Sequence, residues 1–111
     1  MMDELDLSEA LARLDGDAVL LAELARLFLE EGPKLLTGLL TEVSKRDVAG
    51  IETYAHSIKG SMSCFCATQA HQYAAALERK GRERDLAGVD EVLVQLQHEL
   101  ERCTRTLSAI L

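Results

Sequence analysis

The stretch from residue 48 to residue 65 reads VAGIETYAHSIKGSMSCF, and its apolar residues recur every three or four positions. Those apolar residues are Val48, Ile51, Ala55, Ile58, Met62 and Phe65. Such spacing is typical of an α-helix with one buried face. At about 100° per residue, His56 lies roughly 130° from the middle of that face. The stretch therefore predicts a core helix that presents His56 to solvent, with Glu52, Lys59, Gly60 and Ser63 on the same exposed side.

The rest of the chain repeats this helical periodicity on both sides of the stretch. It predicts six helices, over residues 5–14, 18–31, 33–46, 48–65, 68–80 and 86–107. Asp17 and Asp47 are expected to cap the helices that come after them. Gly32 and Pro33 are expected to separate the second helix from the third, and Gly81 to close the fifth. Long amphipathic helices joined by short loops predict an all-α antiparallel bundle.

Length and charge restrict the class of protein. The 111 residues suit one domain, 1–111, and the 48% apolar content is enough for a core. A net charge of −7 disfavours binding to nucleic acid or to an anionic membrane surface. The chain has no apolar run long enough to span a bilayer, and its acidic start, residues 1–4, does not resemble a signal peptide. Three cysteines without disulfide-framework spacing favour a cytoplasmic location.

The residues around His56 are suited to accepting an anionic group. An exposed imidazole can act as a nucleophile near neutral pH while its second ring nitrogen is held by a hydrogen bond. Lys59 lies one helical turn away, where its ammonium group can meet negative charge. Gly60 leaves a gap beside the imidazole, although a glycine within a helix costs about 1 kcal/mol relative to alanine. By spacing alone, an ordinary solvent-exposed surface is the more common explanation of these three residues, and phosphotransfer does not follow from them.

Residues 55–61, Ala-His-Ser-Ile-Lys-Gly-Ser, resemble the phosphorylation motif of histidine-containing phosphotransfer (HPt) domains, usually Ala-His-x-Leu-Lys-Gly-Ser/Ala. The resemblance extends along the chain. Residues 10–17, 24–31 and 33–36 are similar to the family's first, second and third helices. Ala67, Ala74 and residues 77–78 are similar to the helix after the histidine, and residues 85–86 to the turn before the last helix.

The resemblance implies a fold and a set of roles. The fold would be an antiparallel up-down four-helix bundle with one or two additional N-terminal helices. His56 would accept a phosphoryl group from the aspartate of a receiver domain and pass it to another response regulator, in two-component signal transduction. Lys59 would neutralise charge and Gly60 would keep the approach clear. Glu78 would either orient the imidazole or be a solvated surface carboxylate.

The same resemblance implies which components the chain does not supply. It would be a phosphotransfer intermediate without an ATP site and without a cofactor of its own, and the receiver domain would supply Mg²⁺. The expected partners are the receiver domains of a response regulator and of a hybrid histidine kinase, and the expected state is a monomer. Whether the chain is a free protein or a part of a hybrid sensor kinase stays open.

Two residues depart from the family pattern, and two alternative functions stay open. Cys64 stands where the family commonly has Asn, and Cys66 where it has Gly, so the end of this helix is expected to differ locally. One alternative function is a non-catalytic helical adaptor that only docks signalling partners. The other is a metal- or redox-responsive bundle. Its ligands would come from Cys64, Cys66, His71, His98 and Cys103, whose spacing matches no zinc pattern.

Overall fold

Five helices account for most of residues 5–111, the part of the chain that the computed structural model describes. They are α1 (Ser8–Arg13), α2 (Ala18–Ser44), α3 (Val48–Cys64), α4 (Thr68–Glu83) and α5 (Val89–Ala109). This range contains no β-strand, so the all-α prediction is confirmed. None of its helices is long and apolar enough to cross a membrane. Residues 1–4, on which the signal-peptide argument rests, lie outside the described range.

The four long helices form the bundle. Each of α2, α3 and α4 packs against the next helix in the chain, and α5 packs back against α2, which closes the ring. Consecutive helices run antiparallel because the turns between them are short. The short helix α1 packs against α2, and the Leu5 backbone N–H donates to Thr106 Oγ1 at 2.9 Å. The predicted four-helix bundle is therefore confirmed, with one additional N-terminal helix.

The predicted break at Gly32-Pro33 is wrong, because α2 continues through Pro33 as one helix of 27 residues. A proline within a helix removes one backbone hydrogen bond and costs about 3 kcal/mol. The cost is offset here because the helix stays packed on the core across the proline, through a buried stripe and through the partly buried Leu35 and Leu36. That stripe consists of Leu21, Ala25, Phe28, Gly32, Leu39 and Val43. Tertiary burial of one continuous face thus outweighs the local preference to break.

The aspartate caps are confirmed. The Asp17 carboxylate accepts from the Leu20 N–H at 3.0 Å and starts α2, and the Asp47 carboxylate accepts from the Gly50 N–H at 3.2 Å and starts α3. At their C-terminal ends, α1 to α4 are each followed by a non-glycine residue in the left-handed conformation: Asp15, Arg46, Cys66 and Arg84, with φ of 55°, 55°, 54° and 57°.

The end of α3 keeps its turn although Cys66 replaces the usual glycine. The Ala67 N–H donates to the Met62 carbonyl and the Cys66 N–H donates to the Ser63 carbonyl, at 3.0 and 3.1 Å. This pair of bonds is the Schellman motif, which usually has glycine at the left-handed position. Cys66 therefore adopts the glycine conformation despite its β-carbon.

Three other predicted boundaries move. The helix predicted over 5–14 is shortened to Ser8–Arg13. The helix predicted over 86–107 begins at Val89, because Gly88 has a φ of 72° that no α-helix accommodates, and it runs on to Ala109. The helix predicted over 68–80 extends to Glu83, so Gly81 does not close it.

Gly81 instead lets two helices touch. A β-carbon at this position would lie 2.6 Å from the Val48 carbonyl oxygen and 2.8 Å from the Glu52 backbone nitrogen. The C-terminal part of α4 therefore contacts the N-terminal part of α3 backbone to backbone. This contact fixes the register between the two helices that carry the site.

The core lies between the four long helices. Its largest fully buried side chains are Phe65, Leu39, Ile51, Ile58, Met62, Leu77, Leu96 and Leu107. The rings of Phe28 and Phe65 pack edge to face with centroids 6.0 Å apart, which joins α2 to the end of α3. The buried face of α3 is the apolar face that the sequence predicts.

Candidate functional site

His56 projects from the solvent side of α3. Its side chain is 68% exposed, whereas Ala55 and Ile58 on either side of it are buried in the core. Since α3 is anchored by its apolar face, the imidazole is held on a rigid helix rather than on a loop. This placement agrees with the orientation expected from the helical spacing.

Glu78, on the adjacent helix α4, is the centre of the site. Its side chain is only 8% exposed. One carboxylate oxygen, Oε2, lies 2.8 Å from His56 Nδ1 and 3.2 Å from Arg82 Nη2, and the other, Oε1, lies 2.6 Å from Lys59 Nζ. The alternative in which Glu78 is a solvated surface carboxylate does not fit this burial. A buried carboxylate needs such partners, because an unpaired charge away from water is strongly destabilising.

The contact with Glu78 determines which ring nitrogen of His56 is free. A carboxylate can only accept hydrogen bonds, so Nδ1 must carry a proton to bond to it. In a neutral imidazole the other nitrogen, Nε2, then keeps its lone pair. The arrangement leaves Nε2 as the nucleophilic atom of His56.

Hydrogen bonds from Lys59 and His56 keep Glu78 ionised by lowering its pKa. The hydrogen bond from Lys59 is the largest of the effects that lower the pKa of Glu78, and the hydrogen bond from His56 acts in the same direction. Burial opposes them but is outweighed. The carboxylate is therefore available as an acceptor for Nδ1–H at any pH near neutrality.

The lowered pKa of Glu78 predicts a pH-dependent cost for Glu78→Gln. A group whose pKa is depressed by folding stabilises the fold above its unfolded pKa, and this stabilisation is lost as the pH falls through its folded pKa. At pH 7 we expect the variant to lose about 1–2 kcal/mol of unfolding free energy, because Lys59 and Arg82 lose a charged acceptor. In strongly acidic solution the unfolding free energies of the parent and the variant should become equal. Urea unfolding across a pH series measures both limits, and an equal gap at every pH would contradict this account.

Lys59 lies closer to the protein than the sequence indicates. The helical spacing predicts a solvent-facing side chain, but the side chain is 28% exposed and its ammonium group is paired with Glu78. The reason is that α4 places a buried carboxylate within reach of the stem of Lys59. The ammonium group nevertheless stays beside His56, because both residues bond the same carboxylate.

Gly60 borders open space. A β-carbon added there would meet nothing within 4 Å. Packing among the described residues therefore does not explain why a helix would keep a glycine at this exposed position. The space around Gly60 is therefore open, and its role in keeping the approach to the imidazole clear stays a prediction.

Arg82 was not predicted as a member of the site, and Glu52 was placed on the exposed side of His56 without a role. Arg82 lies four residues after Glu78 on α4, and its Nε lies 3.3 Å from Glu52 Oε2 on α3. The helix predicted from the sequence ends at residue 80, which places Arg82 in a loop. The i, i+4 spacing of Glu78 and Arg82 is the signal that could have placed the two side chains together.

Among residues 5–111, the cysteines and histidines are not gathered into one metal-binding cluster. Cys103 is fully buried on α5, and burial raises the pKa of its thiol to about 11. Cys64 is exposed as a residue, but partial removal of its thiol from water also raises the pKa of that thiol. Within residues 5–111, no group of three or more His, Cys, Asp or Glu side chains is placed to hold a metal ion. The geometry thus gives no support to a metal-responsive bundle.

Comparison with known proteins adds a family to this geometry. A search of curated proteins and a search of solved structures each gave no match. The family model described as Hpt domain matches residues 23–106 of the 111. This range contains His56, Lys59, Gly60 and Glu78, all of α3 and α4, and most of α2 and α5. Domains of this family act in phosphorelay histidine phosphotransfer and interact with the receiver domains of two-component systems. The chain, with its all-helical bundle and family match over most of its length, belongs to the Hpt domain family.

Proposed function

We propose that this domain accepts a phosphoryl group on Nε2 of His56 from the aspartate of one receiver domain and passes it to the aspartate of another. One observation carries the proposal: an exposed imidazole on a rigid helix whose Nδ1 is fixed by a buried carboxylate, with Lys59 paired to that same carboxylate. The donor is expected to be a hybrid histidine kinase and the acceptor a response regulator. We expect the domain to work in the cytoplasm as a monomer.

The transfer step requires only positioning and charge from this chain. The Nε2 lone pair attacks phosphorus, a P–N bond forms, and the P–O bond of the aspartyl phosphate breaks. The receiver's carboxylate leaves with the electron pair, while Nδ1 keeps its proton and its bond to Glu78. Glu78 thereby orients the ring and stabilises the positive charge that develops on it. We expect the receiver's acidic cluster to supply Mg²⁺.

Lys59→Ala is expected to slow phosphotransfer by about 10- to 100-fold, because the ammonium group lies where charge spreads over the phosphoryl oxygens. It should also cost about 1 kcal/mol of stability, since Glu78 loses one of its three cationic or polar partners. Lys59→Arg keeps the charge and serves as the control. Rapid-quench transfer assays at several salt concentrations measure the effect. A rate equal to the parent's at every salt concentration would remove Lys59 from the mechanism.

Gly60→Gln is expected to separate stability from transfer. The variant should melt at or above the parent's temperature, because the position is open and a helix favours Gln over Gly by several tenths of a kcal/mol. Its side chain should nonetheless enter the space through which the aspartyl phosphate approaches, and slow transfer at least tenfold. Melting and transfer are measured on one preparation. Unchanged transfer would show that Gly60 has another role.

The receiver is expected to dock on the α2–α3 side of His56 as well as on His56 itself. Leu24 and Leu27 of α2 border a shallow apolar depression together with Ser61 and Cys64 of α3. Leu27 is 59% exposed, a large fraction for a leucine. The depression lies on the helix that carries His56 and on the helix packed against it, and exposed apolar patches of this kind are typical of protein docking surfaces.

A two-stage transfer assay tests the proposal against the alternative of a non-catalytic adaptor. The chain is mixed with a panel of receiver domains labelled at aspartate, isolated, and then offered unlabelled receivers. We expect label on the chain and then on a second receiver, and removal of Mg²⁺ should block both stages. An adaptor would bind the receivers while label passes only to water.

A further inference from the structure

Arg82 is attached to two carboxylates at once. Its Nη2 contacts Glu78 Oε2 at 3.2 Å and its Nε contacts Glu52 Oε2 at 3.3 Å. The Glu78 contact uses the same oxygen that bonds His56 Nδ1. The guanidinium and the imidazole are therefore separated by no more than two hydrogen-bond lengths, although nothing in the transfer step above uses Arg82.

The two attachments differ in burial. Glu78 is buried and fixed, whereas the side chains of Glu52 and Arg82 are 40% and 56% exposed. An ion pair between exposed side chains is worth little and is exchanged easily. Arg82 can therefore release Glu52 while it stays anchored near Glu78.

A phosphoryl group on His56 would change the competition for Arg82. In the unphosphorylated protein, Glu52, Glu78, Lys59 and Arg82 form a group of two anions and two cations. A phosphoryl group adds negative charge and three acceptor oxygens beside the imidazole, and guanidinium groups bind such oxygens well. His56, Glu52 and Glu78 line one depression, so the negative charge of Glu52 would then repel the phosphoryl group.

We propose that Arg82 is a second cation for the phosphoryl group, and that Glu52 is a positioning residue that retains Arg82 until His56 is phosphorylated. This inference rests on the proposed function of His56. On phosphorylation the Arg82 guanidinium exchanges Glu52 for phosphoryl oxygens. Glu52 thereby lowers the affinity of the domain for the phosphoryl group, which favours passing it on.

The test is the equilibrium of phosphoryl groups between the chain and a receiver domain, measured for the parent, Glu52→Gln, Arg82→Gln and the double variant. Glu52→Gln should shift the equilibrium toward the chain about two- to fivefold. The shift should be smaller in the Arg82→Gln background, because there is then no cation to release. Glu101→Gln, the same charge change on α5 beside the α2–α5 groove, is the matched control and should have little effect.

The sign of the coupling distinguishes this exchange from simple repulsion. If Glu52 only repelled the phosphoryl group, Glu52→Gln would have its larger effect when Arg82 is absent, because Arg82 would no longer neutralise Glu52. That order, or no effect of either variant, would overturn the inference while label on His56 still supports the proposed function. Absence of label on His56 would overturn both. Circular dichroism checks that each variant keeps the fold. The Arg82 Nε–H signal in NMR spectra checks the contact with Glu52, and it should move when the parent is phosphorylated.

Discussion

His56→Gln is expected to abolish all acid-labile, alkali-stable phosphate on the chain while the helical circular dichroism stays unchanged. The loss should be complete because no other side chain in the site is an exposed nucleophile held by a buried carboxylate. The fold should survive because the His56 side chain is mostly exposed, and the Gln amide can still donate to Glu78. Phosphate analysis after incubation with a labelled receiver measures the first effect.

The other two histidines provide matched controls. His71 is half-buried near the start of α4, and His98 is exposed on α5. His71→Gln and His98→Gln should each retain the parent's labelling. If His56→Gln still took up label, and that label lay on His71 or His98, the assignment of the site would be wrong.

Gly81→Ala is expected to destabilise the bundle by about 2–3 kcal/mol, although alanine is the better helix former. The added β-carbon would approach backbone atoms of Val48 and Glu52 on α3, and backbone cannot move aside as a flexible side chain can. Helices α3 and α4 would have to separate. For a chain of this size the melting temperature should fall by about 10 °C or more.

Gly60→Ala is the matched control for Gly81→Ala. It makes the same substitution on α3, at a position where the β-carbon meets nothing within 4 Å. The expected result is a gain of about 0.5–1 kcal/mol, from the lower entropy of the unfolded chain. Thermal and urea unfolding of both variants give the comparison. Equal stability of the two variants would mean that α3 and α4 are not in backbone contact at Gly81.

Most of the correct predictions about the fold came from amphipathic periodicity and other local patterns. The buried face of α3 and the aspartate caps of α2 and α3 depend on residues within a few positions of one another, so local patterns identify them. The fate of Pro33 depends instead on whether the surface on both sides of it is buried by other helices. That is a tertiary property, and local rules for proline pointed to a break that the structure does not have.

The residues of the site can also be separated into those that local patterns locate and those that depend on tertiary packing. The positions of His56 and Gly60 depend on helix geometry along α3 alone. The partners of Glu78 depend on the register between α3 and α4, which the close contact at Gly81 sets. Local patterns assign Gly81 to a helix end, and for that reason neither the contact nor Arg82 was predicted. The same register explains why Lys59 turns toward a buried carboxylate rather than toward solvent.

NMR analysis of the phosphorylated chain tests the central claim most directly, because couplings between phosphorus and the imidazole nuclei identify both the residue and the ring nitrogen. The structure predicts one phosphoryl group, on Nε2 of His56, with Nδ1 still protonated and bonded to Glu78. A phosphoryl group on Nδ1 of His56, or on His71 or His98, would contradict the account.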